Sequence, residues 1–100
     1  MLDEKKKQEI IEEFQLHEDD TGSSPVQIAL LTAEIGELSE HLENHPQDHS
    51  SRRGLLKKVG KRRKLMKYLQ EEDPEKYAEV VNKLDLKQAK NVNTQQDSEE

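Results

Sequence analysis

The chain has 100 residues, 38% of them charged and 30% hydrophobic, and a net charge of −6. That length holds one domain with a thin core; Leu, Ile, Val and Phe together number 22, just above the level at which disorder is expected. The absence of cysteine excludes a disulfide scaffold and a thiolate metal site and fits a reducing compartment, and no apolar run approaches membrane-spanning length.

In chain order, residues 4–16 are predicted to form a first helix, with Ile10, Ile11 and Phe14 as a short apolar stripe and Asp3 and Glu4 at its positive dipole end. So few anchors make it the most mobile helix of the set, able to dock in more than one orientation. The N-terminus, MLDEKKKQEI, lacks the apolar segment of a signal peptide, so a cytoplasmic location is expected. His17–Ser24 is a loop, in which Gly22 can adopt backbone angles closed to other residues and lets a partner approach closely. Ser24 is the expected N-cap of the next helix, with Pro25 in its first position. Gln27 has two readings: it completes a capping box, or it contacts a partner.

Residues 25–44 carry the clearest helical pattern. Ile28, Leu31, Ile35, Leu38 and Leu42 recur at spacings of three and four, the seam of an antiparallel bundle, and Glu34, Glu37, Glu40 and Glu43 occupy the outer face. Pro46 ends the helix and residues 45–49 turn the chain.

The next helix, about 50–72, is N-capped by Asp48, Ser50 or Ser51. Nine Lys/Arg stand between Arg52 and Lys67 with no Asp or Glu among them, while the rest of the chain sets seven basic residues against 22 acidic ones. Leu55, Val59, Met66 and Leu69 form its apolar line, with Arg62 on the same line and Leu56 and Leu65 widening it. A merely solvated helix normally intersperses acids, which relieve like-charge repulsion. Here Arg53/Lys57 and Lys57/Lys61 repel at four-residue spacing. An unrelieved cationic face is the footprint of a polyanion binder. Asp73-Pro74-Glu75 starts a fourth helix, about 74–85, with Tyr77, Val80, Val81 and Leu84 on one stripe. From Lys87 on, composition predicts a disordered acidic tail. The expected organisation is all-α, with a helical domain over residues 1–86 and a tail over 87–100.

His41, His45 and His49 recur every four residues, a spacing that can share a metal on a helix. Pro46 breaks that register, so a polar corner between two helices is the plainer reading. Phosphate loop, nucleophile elbow and dinucleotide fingerprint are all absent, and a thin helical domain offers little room for a dry pocket; neither catalysis nor a cofactor is expected. Short hydrogen-bonding side chains such as His41, Asp48 and Ser51 suit the wide, shallow minor groove of duplex RNA. Near phosphates an Asp is repelled, so Asp48 would accept from a base amino group or a 2′-hydroxyl. Tyr68, four residues after Lys64, is either core edge or a stacking platform for an unpaired base. The rival from another class is a protein-interaction module whose Ile28–Leu42 seam pairs with a partner helix; a third reading is a DNA-coating protein.

Several runs carry a resemblance: Asp20-Thr21-Gly22-Ser23, Val26-Gln27-Ile28-Ala29-Leu30-Leu31-Thr32, Asp48-His49, Ser51-Arg52-Arg53-Gly54-Leu55-Leu56, Val59-Gly60-Lys61-Arg62-Arg63-Lys64-Leu65 and Asn82-Lys83-Leu84. In this order, over roughly residues 5–86, the chain resembles the family of bacterial small-subunit ribosomal protein fifteen. The resemblance implies three helices in an antiparallel bundle with a variably placed first helix, and binding to the central domain of small-subunit ribosomal RNA. It implies that Thr21, Gly22, Gln27, Lys64 and Tyr68 meet a three-way junction, and that His41, Asp48 and Ser51 read a minor groove along one arm. Arg52, Arg53, Lys57, Lys61 and Arg63 would hold phosphates. It further implies a protein monomeric when free, an early assembly role beside neighbouring platform proteins, and contact with large-subunit RNA at the subunit interface. The chain departs from the family pattern at Pro25, at Pro46-Gln47 in place of lysines, at Ser50, at Asp85, and in its acidic tail and overall acidity.

Overall fold

The computed structural model describes residues 2–91, with the side chains of 2–85. It contains four helices, α1 (Glu4–Phe14), α2 (Ser24–Asn44), α3 (His49–Glu72) and α4 (Pro74–Asn91), and no strand among the described residues. None is long and apolar enough to cross a membrane.

Each start is set by a local side chain. Asp3 accepts from the Lys6 amide at 2.8 Å, Asp48 from the Ser51 amide at 3.0 Å and Asp73 from the Lys76 amide at 3.1 Å. Asp48 is thus the cap among the three proposed for α3. At α2 the helix begins one residue earlier than expected: Ser23 is the N-cap, Ser24 the first helical residue, and Ser23 makes no side-chain capping bond. Proline fits the second position as well as the first, because neither amide has an intrahelical partner. α1 ends at Phe14, two residues short of the expected limit, where Asp20 captures the Leu16 amide instead. α4 runs to Asn91, past the expected limit at 85, since Lys87, Gln88, Ala89 and Lys90 are all good helix formers. The remainder of the expected tail, 92–100, lies outside the described residues.

Three cross-helix contacts define how α2 and α3 run. His41 meets Asp48, Glu34 meets Lys58, and Thr32 meets Arg62. Numbers fall along α2 as they rise along α3, so the pair is antiparallel. Asp73 alone joins α3 to α4, which folds back against α3 and α2. The principal core gathers Ile11, Phe14, Val26, Ile28, Ala29, Leu69, Val80 and Leu84. It therefore sits where all four helices meet, around the start of α2 and the end of α3. Leu38 and Leu42 are buried outside that cluster, further along the α2–α3 hairpin. The seam on α2 matches the expected period: Ile28, Leu31, Leu38 and Leu42 are buried and Ile35 is half-buried. Burying each such side chain contributes about 1.5–3 kcal/mol.

α1 packs on α2 through Ile11 and Phe14. Its end is also held by α4: Lys83 Nζ donates to the Glu13 carbonyl at 2.8 Å and lies 5.0 Å from the Phe14 ring centroid.

Leu56 departs from the expected apolar line and is 65% exposed. At about 100° per residue it stands roughly a quarter-turn from Leu55, outside the buried face of the helix.

Candidate nucleic-acid interface

The basic residues of α3 divide into two sets. Lys58 donates to Glu34 at 3.1 Å, and Arg62 Nη1 donates to Thr32 Oγ1 at 3.1 Å. Thr32 Oγ1 in turn donates to the Ile28 carbonyl at 2.8 Å. Arg62 is half-buried, and desolvation pulls its pKa below the usual guanidinium value. These two cations fasten α3 to α2. The other seven are exposed. Arg52 donates to the Pro46 carbonyl at 2.7 Å, bracing the corner. Among the described residues, Arg53, Lys57, Lys61, Arg63, Lys64 and Lys67 make no ion pair or side-chain hydrogen bond. At about 100° per residue, Arg53, Lys57, Lys61, Lys64 and Tyr68 fall on one line along a rod about 36 Å long. Tyr68 is 55% exposed, so it belongs to that cationic face and not to the core edge.

The corner between α2 and α3 brings His41, Asp48 and Ser51 together. His41 Nε2 lies 2.8 Å from Asp48 Oδ2, and Ser51 Oγ donates to the same oxygen at 2.7 Å. Asp48 Oδ1 takes the Ser51 amide at 3.0 Å. The bond from His41 first, and those from Ser51 next, hold the Asp48 carboxyl well below the usual carboxylate range. Most of its acceptor capacity is thereby used inside the protein. Asp48 fixes the orientations of His41 and Ser51, and the Ser51 hydroxyl oxygen keeps acceptor capacity for a partner. His41 also stacks against His45, with centroids 4.7 Å apart and planes tilted by 31°. Among the described residues no three His, Asp or Glu side chains converge as a metal site would require.

The loop before α2 is organised by a residue that sequence reasoning did not single out. Asp20 is buried, and its carboxylate accepts from the amides of Leu16 at 2.8 Å, Gly22 at 3.1 Å and Ser23 at 2.9 Å. Hydrogen bonding from Ser23 foremost, then from the Leu16 amide, brings its pKa down to about 2. The Ser23 hydroxyl oxygen is itself buried and has no partner in good geometry, so the Ser23 amide is the firm contact. The signal was present, because an Asp followed by Thr-Gly-Ser is a sequence in which a carboxylate bonds amides two and three residues on. Gln27 follows neither a capping box nor a free side chain: its Nε2 donates to the Gly22 carbonyl at 2.8 Å. The loop is thus pinned from both sides, with Thr21 and Gly22 exposed at its tip. Gly22 has no positive φ, and a Cβ there would meet nothing within 4 Å. The expected special backbone angle is not used.

Of the residues tied to a junction by resemblance, Gly22 and Gln27 touch one another, and Lys64 and Tyr68 stand one turn apart on α3. No side-chain hydrogen bond joins the two pairs among the described residues. Glu34, for which no binding role is implied, has a structural one in holding Lys58.

A compact helical hairpin presenting an unneutralised cationic rod, with short polar side chains fixed at one end, defines a small polyanion-binding protein. The model of the family "Ribosomal protein S15" matches residues 7–87. The chain is 59% identical over 86 residues to a protein of Thermotoga petrophila, covering 86% of this chain and 96% of that one. It is likewise 59% identical over 87 residues to one from Caldanaerobacter subterraneus subsp. tengcongensis (87% and 99% covered) and 60% identical over 81 to one from Fervidobacterium nodosum (81% and 96%). All three are named "Small ribosomal subunit protein uS15". The chain belongs to the ribosomal protein S15 family.

Proposed function

We propose that this chain is a structural protein of the small ribosomal subunit, working in the cytoplasm, that binds small-subunit ribosomal RNA at a three-way junction of its central domain. The observation that carries the reading is the line of exposed cations on α3, unpaired among the described residues and lying between two pinned polar elements. Arg53, Lys57 and Lys61, with the donors Arg52 does not spend on Pro46, hold phosphates and set register, and Arg63, about a third of a turn away around α3, holds a phosphate off that line. The corner His41–Asp48–Ser51 reads a minor groove of one arm, where RNA presents 2′-hydroxyls and base edges. Thr21 and Gly22, held by Asp20 and Gln27, meet the junction together with Lys64 and the exposed ring of Tyr68. Residues 1–86 supply this unit. The role is mechanical and without catalysis: holding the junction in one geometry lets neighbouring platform proteins bind, and large-subunit RNA is met at the subunit interface.

The test is chemical footprinting on small-subunit RNA with a minimal three-way junction as competitor. Protection confined to the junction and one arm, removed by the competitor, is expected. Equal competition by plain duplex RNA would overturn the reading. The rival of a helix-pairing module finds little support, since four of the five seam residues on α2 are already buried within the bundle.

A further inference from the structure

A second set of α3 residues lies away from the first cationic line. By helical rotation Leu56, Arg63, Lys67 and Gln70 fall together, roughly 110° around the helix from the line through Lys57 and Lys64. This side borders α4, and between the two helices opens a cleft of about 300 Å³. Its inner wall is Val59, Met66 and the half-buried ring of Tyr77. Its mouth carries Arg63, Lys67 and Gln70, all exposed and none bonded to another side chain among the described residues. Leu56, strongly exposed two turns before Arg63, continues the apolar surface beyond the cleft.

We propose that this cleft is a second RNA site that takes one unpaired nucleotide, from a segment other than the one held along the first line. The walls match that ligand. A base is flat and apolar on its faces, which suits the Tyr77 ring and the Met66 thioether. The base edge needs donors and acceptors, which the Gln70 amide supplies. The attached phosphate needs cations, which Arg63 and Lys67 supply at the rim. The size selects as well: the volume is at the low end for a small-ligand pocket and too small to seat a duplex or a helix. An acidic peptide would satisfy the cations and leave the aromatic wall without use. The rotation around α3 keeps a strand in the cleft clear of a duplex on the first line. The inference rests on the reading above only for what occupies that first line.

The experiment titrates the full chain with fluorescently labelled hexa-adenylate, alone and in the presence of saturating three-way-junction RNA. The oligonucleotide should bind in both cases. Tyr77→Leu and Lys67→Ala should each weaken it roughly tenfold, the loss expected for one stacked base or its phosphate contact. Gln70→Ala should change the preference among oligoadenylate, oligouridylate and oligocytidylate. Full displacement by the junction RNA would place both ligands on one surface and overturn the proposal. So would undiminished binding by Lys67→Ala together with an unchanged base preference in Gln70→Ala, two exposed positions that keep the test alive if Tyr77→Leu does not fold. Binding of hexaglutamate as tight as that of hexa-adenylate would assign the cleft to an acidic peptide instead. If the chain ignores the junction RNA yet holds the oligonucleotide with these losses, the proposed function fails and the cleft stands.

Discussion

Lys61 and Arg62 are adjacent in sequence and alike in charge, and they should answer oppositely to the same substitution. Lys61 is exposed and has no hydrogen-bond or ion-pair partner among the described residues, whereas Arg62 points into the α2–α3 interface and donates to Thr32 at 3.1 Å. Lys61→Ala removes a surface cation, so stability should stay within about 0.5 kcal/mol. It should lower the slope of log affinity against log salt by roughly 0.7–0.9, the value for one phosphate contact on DNA or a single strand. Arg62→Ala removes a hydrogen bond from a charged donor, worth about 1.5–3 kcal/mol, together with the packing of its aliphatic stem. At about 4–8 °C per kcal/mol for a domain of this size, the melting temperature should drop by about 6–24 °C while the salt slope is unchanged. The assays are thermal melts followed by circular dichroism and filter binding to junction RNA over a potassium chloride series. If Arg62→Ala flattened the salt slope as much as Lys61→Ala does, without loss of melting temperature, the division of α3 into fastening and binding cations would be wrong.

Asp48→Ala should weaken the cognate junction RNA at least about tenfold more than random duplex, because His41 and Ser51 lose the group that orients them; filter binding to both RNAs checks it, and equal losses would remove the corner from recognition. Asp20 has its pKa lowered from 3.8 to about 2, so it contributes stability that is present above pH 4 and is lost as pH falls toward 2. The parent should therefore lose more stability between pH 4 and 2 than Asp20→Asn does, and parallel acid titrations by urea denaturation would contradict this. Gly36→Ala and Gly60→Ala should each raise stability by about 0.5–1 kcal/mol, since both glycines sit inside helices and an added Cβ meets nothing within 4 Å. An unchanged or lower melting temperature would show a packing demand at those sites.

Much of this is legible in the sequence alone. The seam on α2 is periodic, and periodicity is a property of one segment alone, so Ile28 to Leu42 could be placed without knowing their partner. The cationic rod was legible for the same reason, as a charge count over one helix. The placement of Arg62 on the apolar line already marked it as inward, but its acceptor, Thr32, lies thirty residues earlier and no local rule pairs them. The corner shows a finer gap. His41, Asp48 and Ser51 were nameable as polar residues near a turn, yet their sequence does not reveal that Asp48 spends its oxygens on the other two. Leu56 misled because widening an apolar stripe by one residue turns it 100°, and only the position of α4 decides which side is covered. The loop held by Asp20 was half legible: the amides of Gly22 and Ser23 follow a local rule, while the bond back to Leu16 depends on where α1 ends.

The lopsided distribution of charge has a kinetic consequence. Nine positive charges sit on one stretch of one helix, and the remainder of a protein with net charge −6 is strongly negative, including the exposed Glu40 and Glu43 on α2. In the field of a nucleic acid such a molecule behaves as a compass needle. Encounters that bring the wrong side forward are pushed away, and those that bring the rod forward are drawn in. Arrival is thereby sorted by orientation before any specific bond forms, and added salt should slow association more than it hastens release.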